Sequence, residues 1–271
     1  MTLGLFDPAF LGGLAAPSPG AWTPSDISTA LWLDATDAGS ITEVSGAISE
    51  WRDKSGNDRH ATQYVPADRP TYSISAVNGE NAVTFDGVTG FMSVAHASAL
   101  DAQISPSTIS VIYKKSSGFR VLQKKNGYGV EVDSYFFDDL SSFSVAGAFT
   151  TSYSSNQNAW TIDVGAWDGS TIKHWRNGAK LTATDVSNGT LVSGEIDPSN
   201  EPSAGTSPLY IGKRDNPGFS SGIMTGQIVA IVICESVLSE ADRQKLEGYY
   251  AHLLGLTTNL PTGHPYKSVA P

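Results

Sequence analysis

The chain has 271 residues, of which 40% are hydrophobic and 16% are charged, and its formal net charge is -10. This length and apolar content suffice for one large domain with its own core, and the negative charge disfavours a nucleic-acid partner, which would need clustered Lys and Arg. No run approaches the roughly 18 apolar residues that read as a membrane-spanning helix, and a single cysteine, Cys234, excludes an internal disulfide.

Residues 1–26 differ in composition from the rest of the chain. They lack the basic region that opens a signal peptide, so we predict synthesis in a cytoplasm without a cleaved leader. An apolar tail needs a surface to lie on, which either its own domain or a neighbouring subunit can supply; our hypothesis is the neighbour. The large apolar side chains of this assembly arm are Leu3, Leu5, Phe6, Phe10, Leu11 and Leu14.

From Ala30 onward, short runs rich in β-branched and aromatic residues alternate with turn signals. No regular alternation with helices appears, which disfavours a parallel sheet. The spacing predicts that residues 27–271 form an all-β, antiparallel two-sheet jelly-roll sandwich. The predicted strands are 31–34, 48–51, 82–85, 91–94, 108–114, 119–124, 129–132, 142–149, 160–166, 171–176, 209–211 and 227–235.

Two segments carry stronger local signals. Asn177-Gly178 predicts a type I′ hairpin turn, because both central residues of that turn need positive φ. Ser239 is the predicted N-cap of a helix, with Asp242 as its capping-box partner, and Gly255 is typical of a helix C-terminus. We expect this helix to close one end of the sandwich and residues 257–271 to lie extended over the surface.

Ordered short motifs along the chain resemble one family. The first part carries Leu31-Trp32-Leu33-Asp34-Ala35, then Trp51-Arg52-Asp53-Lys54-Ser55-Gly56-Asn57, and the end carries Leu260-Pro261-Thr262-Gly263-His264-Pro265-Tyr266. Together they resemble the laminin-G-like, concanavalin A-like jelly-roll domains of phage virion proteins and bacterial surface proteins. The resemblance spans roughly residues 30–271 and implies the fold more specifically than a function, because function lives in sites grafted on a fold.

The enzyme that this resemblance suggests is a glycoside hydrolase. Jelly-roll members of that kind use Glu-x-Asp-x-x-Glu on one strand, and hydrolysis needs two carboxyl groups that flank the bond. Glu131 and Asp133 begin this pattern, but Phe136 stands in place of the second Glu. The Gly-x-Ser-x-Gly match at Ser220 lacks the following helix of a nucleophile elbow. We therefore predict a protein without catalytic residues.

Metal sites have one candidate. Oxygen-bearing side chains at Asp53, Ser55 and Asn57 alternate as in a calcium-binding loop, and laminin-G relatives often carry Ca²⁺; the same residues are also typical of a turn that bonds its own backbone. No other cofactor is predicted, since the five histidines show no zinc spacing. Cys234 lies in an apolar run and is predicted to be a buried, inert thiol.

Aromatic side chains suited to stacking on a sugar are frequent in the middle third of the chain. Our candidates for glycan contact or an interface are Tyr128, Tyr135, Phe137 and Tyr153. Because strand side chains alternate between two faces, the run from Tyr135 to Phe137 cannot be buried throughout.

Three functional hypotheses follow. The first is a virion component of a tailed phage (capsid decoration, head fibre, tail fibre or baseplate) that binds other virion subunits or itself as a homo-oligomer and contacts host glycans. The second is a bacterial extracellular carbohydrate-binding module, and the third is a divergent glycoside hydrolase. The first places the protein in the virion after synthesis in the host cytoplasm; the second places it at the cell surface. We expect no nucleic-acid partner and no membrane insertion.

Overall fold

A computed structural model describes residues 21–101, 106–117, 120–125, 133–138, 143–145, 148–150, 158–168, 172–181, 207–214 and 222–271. At positions 125, 133–138, 143–145, 148–150 and 172, the backbone alone is described. The large apolar residues of the assembly arm and the predicted strand 129–132 lie outside the described residues. No helix in the described ranges is long and apolar enough to cross a membrane.

The described residues form seventeen strands and one α-helix. In chain order they are β1 (Leu31–Asp34), β2 (Ile41–Val44), β3 (Ala47–Trp51), β4 (Ala61–Thr62), β5 (Thr71–Val77), β6 (Glu80–Asp86), β7 (Met92–Val94), β8 (Ser107–Ser117), β9 (Arg120–Lys125), β10 (Asp133–Asp138), β11 (Phe143–Val145), β12 (Ala148–Thr150), β13 (Thr161–Trp167), β14 (Ile172–Arg176), β15 (Ala179–Lys180), β16 (Leu209–Ile211), β17 (Thr225–Cys234) and α1 (Glu240–Leu253).

The strands form two antiparallel sheets, as predicted. The first sheet has the order β15-β14-β13-β8-β17-β6-β5, and β1 also pairs with β17. One edge of β17 is shared between β6, at residues 225–228, and β1, at residues 230–233, while β8 takes the other edge. The second sheet has the order β12-β11-β10-β9-β16-β7-β4-β3-β2.

The main core lies between the two sheets. Because side chains alternate along a strand, both sheets contribute apolar side chains to this core. Leu31 and Leu33 of β1 lie in it together with Met92 and Val94 of β7. The largest side chain wholly enclosed there is Trp51 of β3. In the second sheet, the side chains that alternate with these core residues lie on its outer face.

The helix α1 lies on the outer face of the first sheet, so the prediction that it closes one end of the sandwich is wrong. Leu246 and Tyr250 of α1 pack there against Trp32 and Val232 in a second apolar cluster. Strand β17 is consequently covered on both faces, and this explains why it reads as a continuous apolar run. Burial raises the pKa of the Cys234 thiol to about 12, in agreement with the predicted buried thiol.

A polar chain crosses the edge of this second cluster. The Trp32 Nε1 donates to the Tyr250 hydroxyl at 3.1 Å, and that hydroxyl donates to Asp34 Oδ2 at 3.5 Å. Asp34 Oδ1 accepts from the Thr36 backbone N–H and hydroxyl at 3.0 and 2.7 Å. Burial raises the pKa of the Asp34 carboxyl, and the hydrogen bonds from Thr36 offset only part of that effect.

Local signals at the turn and the helix ends are confirmed. Asn177 and Gly178 have φ values of 48° and 77°. The Ser239 side chain accepts from the Asp242 backbone N–H at 3.1 Å, although the short Asp242 carboxylate bonds the Ser239 hydroxyl rather than its backbone. Gly255, with φ of 66°, ends the helix. The Gly255 N–H donates to the His252 carbonyl and the Leu256 N–H donates to the Ala251 carbonyl, which is a Schellman arrangement.

The C-terminal tail is folded against the body, so the prediction of an extended tail is wrong. Residues Thr257–Asn259 form a 3-10 turn, and Leu260 and His264 are buried. The His264 ring lies 3.2 Å from a carboxylate oxygen of Glu247 on α1. Arg243 donates to both oxygens of Glu247, at 2.6 and 2.5 Å. This buried charge cluster fastens the tail to the helix.

The predicted strand 142–149 is divided in the structure. It forms two strands, β11 and β12, which pair with each other as a hairpin. The pattern also does not predict β2, β4 and β5, whose exposed or short segments lack the apolar runs on which strand prediction depends.

Candidate functional site

Two aromatic rings and a lysine meet on the outer face of the second sheet. We call Phe91, Tyr210 and Lys213 the aromatic platform. Tyr210 is the middle residue of β16, whose two end residues are buried, so strand alternation turns it to the outer face. Phe91 immediately precedes β7, whose first residue is buried, and it reaches the outer face in the same way.

Lys213 joins the platform because of the glycine before it. Gly212 has φ of +75°, and a Cβ at this position would lie 2.4 Å from Cδ1 of the Phe85 ring in the core. Ile211 and Gly212 therefore meet the core in succession, which breaks the alternation of the strand. The next residue, Lys213, consequently stands beside Tyr210 instead of pointing into the sandwich.

The platform has the geometry of a cation held over aromatic rings. Lys213 Nζ lies 4.1 Å from the ring centre of Phe91 and 5.2 Å from that of Tyr210. The two ring centres are 6.2 Å apart with an interplanar angle of 54°. The negative faces of the rings attract the ammonium. In the described part of the chain, no carboxylate forms an ion pair with Lys213, so its charge has no counterion there.

An apolar rim borders the platform. Tyr64, Val65 and Val88 are 82%, 51% and 74% exposed, on two neighbouring loops. A group of large exposed apolar side chains is typical of an interaction surface. Three hydrogen bonds fix these loops to each other and to the platform: Gln63 Nε2 to Phe91 O at 3.1 Å, Phe91 N to Asp68 O at 3.1 Å, and Thr89 Oγ1 to Ala67 O at 2.8 Å.

Polar residues continue the row that contains Tyr210. In register across the sheet, Thr62 pairs with Ser93, Ser93 with Tyr210, and Tyr210 with Gln123. Thr62 and Ser93 are partly exposed, whereas Gln123 is buried. Hydroxyl groups beside aromatic rings can bond the hydroxyls of a polyol while the rings contact its C–H groups.

The four aromatic residues predicted from the sequence are not the platform residues. The strand register pairs Tyr135 with Lys124 and Phe137 with Leu122, which are inward-facing positions, and pairs Phe136 with Gln123 on the outer face. The side chains of Tyr135 and Phe137, together with Tyr128 and Tyr153, lie outside the described residues. Glycan contact by these four residues stays a prediction.

The predicted calcium loop is a hydrogen-bonded turn. Asp53 Oδ1 accepts from the backbone N–H groups of Trp32 and Ser55, both at 2.9 Å, and Oδ2 accepts from the Ser55 hydroxyl at 2.7 Å and from Arg59 N at 3.0 Å. The Asn57 amide donates to the Thr29 carbonyl at 3.0 Å. Because protein donors use the oxygens that Ca²⁺ would need, these residues do not fit a calcium loop.

A second polar cluster lies between the sheets and is closed to solvent. Asp163 accepts from Arg176 Nε at 2.9 Å and from the Tyr113 hydroxyl at 2.9 Å, and the His174 ring lies 3.4 Å away. Burial alone would raise the pKa of Asp163, but Arg176 and His174 hold it well below its ordinary value. The cluster is a paired structural network. Glu131 and Ser220, which belong to the two incomplete catalytic motifs of the sequence, lie outside the described residues.

Comparison with known proteins gives no family model and no curated protein that matches this chain. Solved structures do share its fold. A Trypanosoma rangeli sialidase in complex with sialic acid matches with a TM-score of 0.53 and 14% identity, over 81% of this chain and 32% of the sialidase. The binding domain of Paraclostridial Mosquitocidal Protein 1 matches with a TM-score of 0.56 and 13% identity, over 84% of this chain and 53% of that one.

A third structure is domain 4 of the arabinanase AbnA from Geobacillus stearothermophilus, in complex with arabinotriose. It matches with a TM-score of 0.48 and 12% identity, over 81% of this chain and 98% of that domain. The chain thus spans about a third of the sialidase and about half of the mosquitocidal binding domain. At these identities the likeness to the sialidase and to the mosquitocidal binding domain establishes the β-sandwich fold and nothing finer.

Proposed function

We propose that this chain is a non-catalytic carbohydrate-binding domain and that its ligand lies on the aromatic platform. The observation that carries the proposal is the Lys213 ammonium, held over the rings of Phe91 and Tyr210 on an outer sheet face. A sugar presents C–H groups on one side and hydroxyls at its edge. The rings suit the C–H side because their faces are negative, and the hydroxyls of Thr62 and Ser93 suit its edge.

The charge of the platform suggests the ligand class. Lys213 has no carboxylate counterion among the described residues, in a chain whose acidic residues outnumber its basic ones by 27 to 17. A carboxylated or otherwise anionic saccharide would supply that counterion. The sialidase that shares the fold was solved with sialic acid, which makes this class a natural first choice for the screen.

The proposal is tested with an array of neutral and anionic glycans, followed by calorimetric titration of the strongest ligand. Tyr210→Ala removes one ring and should weaken binding about tenfold, since such a contact is worth about 1 to 2 kcal/mol. Lys213→Gln should weaken anionic ligands more than neutral ones. The matched control is Lys180→Gln, on the exposed hairpin strand of the other sheet.

Two outcomes would reject the platform as the site. One is an array on which no glycan binds the folded protein. The other is unchanged affinity in Tyr210→Ala, with a circular dichroism spectrum that confirms the fold. Hydrolysis of any bound polysaccharide would reject the non-catalytic part of the proposal and favour the divergent glycoside hydrolase.

We also propose where this glycan binding takes place. The apolar assembly arm would attach the domain to a phage particle, where the sandwich faces outward and contacts host glycans. Mass spectrometry of purified virions tests this placement, and absence of the protein from them would reject it. A bacterial extracellular carbohydrate-binding module is the alternative; it predicts that residues 27–271 alone bind glycan as tightly as the whole chain.

A further inference from the structure

A lysine inside the sandwich has its ammonium enclosed. Lys124 lies on β9, in register with buried Leu209, and its side chain is 0% exposed. Its Nζ lies 2.8 Å from Asp101 Oδ1, 2.6 Å from the Ser207 carbonyl oxygen and 3.1 Å from His96 Nδ1. The lysine and the aspartate come from different segments, because Asp101 follows a short 3-10 turn in the connection between β7 and β8.

The surroundings disfavour a simple ion pair. The Asp101 side chain is only 2% exposed, so both charges would be withdrawn from water, at a cost that their attraction often does not offset. The second carboxylate oxygen, Asp101 Oδ2, is buried, and no donor among the described residues forms a hydrogen bond with it. An unpaired oxygen on a buried carboxylate adds a further cost. Covalent union of the two groups would remove both charges and that oxygen together.

We propose that Lys124 and Asp101 form an intramolecular amide bond. Proton transfer from the ammonium to the carboxylate gives a neutral amine and a carboxylic acid. Nζ then attacks Cγ of Asp101, so that a C–N bond forms, the bond from Cγ to Oδ2 breaks, and Oδ2 leaves as water. The water takes one proton from the amine, and no oxidant, reductant or cofactor is needed.

His96 stands where it can carry that proton. Its Nδ1 lies 3.1 Å from the attacking Nζ and 4.0 Å from the leaving Oδ2. The ring is 29% exposed, so it also connects the enclosed pair with solvent. The fold supplies the remaining driving force, because reactants held in contact behave as if present at very high concentration.

The bond would fix a connecting segment of the sandwich covalently to β9. It would link β9 of the second sheet to the segment that runs from β7 of the second sheet to β8 of the first sheet, and it would close a loop in the unfolded chain as a disulfide does. Since the chain has a single cysteine, a disulfide cannot serve this purpose.

Intact-mass spectrometry of the purified protein decides the matter. The wild-type chain should be lighter than its sequence mass by one water, and proteolysis should give a branched peptide that joins Lys124 to Asp101. Lys124→Gln should have its full sequence mass. Asp101→Asn should form the same amide with loss of ammonia instead of water, which an ion pair would not do. Lys213→Gln, at the platform, is the control and should keep the deficit.

His96→Ala should slow bond formation about 100-fold, as expected when a positioned proton carrier is removed, in a time course of mass after synthesis. A wild-type mass equal to the sequence mass after prolonged incubation at neutral pH would overturn the proposal. So would a lost water that maps to Asp101 without Lys124, because that result indicates a cyclic imide.

Discussion

The charge cluster under the C-terminal tail allows a sharp stability prediction. Glu247 is fully buried on α1, and Arg243, whose guanidinium also lies 4.4 Å from the Trp175 ring centre, depends on it as its counterion. Glu247→Gln keeps the shape but leaves that guanidinium buried without an opposite charge. Breaking a buried pair in this way costs about 3 to 5 kcal/mol, and the His264 ring loses its charged partner as well.

Urea unfolding measures this cost as a shift of the midpoint at constant slope, and thermal unfolding should show a fall of about 10 °C for a chain of this size. The informative control is the double variant Arg243→Met with Glu247→Met, which removes both charges. Replacement of a buried pair by apolar residues is often neutral, so the double variant should be more stable than Glu247→Gln. The reasoning fails if Glu247→Gln lies within 1 kcal/mol of the wild type, or if the double variant is the least stable of the three.

Two further predictions concern single positions. Gly212→Ala places a Cβ only 2.4 Å from the Phe85 ring at a position with positive φ, so it should lower the free energy of unfolding by about 3 kcal/mol and displace Lys213 from the platform. Gly263→Ala is the control, because a Cβ there meets nothing within 4 Å. Equal stability of the two variants would contradict the explanation. Asp34→Asn removes a buried carboxyl whose pKa is raised in the folded state. The wild type therefore loses stability as pH rises above the unfolded pKa of about 4, whereas the variant does not. In urea titrations, the free energy of unfolding of the variant relative to the wild type should increase from pH 4 upward. A difference that does not change with pH would refute this.

The sequence contains enough information for the fold because the local signals agree with one another. Period-two alternation marks Leu209 and Ile211 as core residues, and the same alternation marks Tyr210 as an outer-face residue. The caps at Ser239 and Gly255 depend on neighbours within one or two turns, so they too are readable from the chain. The uninterrupted apolar run of β17 agrees with cover on both faces, but it does not identify the covering element, and the helix was predicted at one end of the sandwich instead.

The site is less accessible to such reasoning. Lys213 reaches the platform only because the Phe85 ring, more than a hundred positions earlier, fills the space beside Gly212. Lys124 and His96 are likewise brought together by pairing between distant strands. A pattern of neighbouring residues cannot predict such contacts. The alternation of side chains along the strands at Phe91 and Tyr210 could, however, have identified both as outer-face residues.

The pairing of β1 with β17 has a consequence for how the molecule is made. Leu31 pairs with Ile233, about 200 positions later, and β17 is also the strand that joins β6 to β8. A ribosome must therefore release almost the whole domain before β17 can pair with β1, β6 and β8. Until then, these earlier strands have unpaired edges. Such distant partners favour slow folding, so a cell that produces this protein in quantity would gain from chaperones that shield the nascent chain until its last strand emerges.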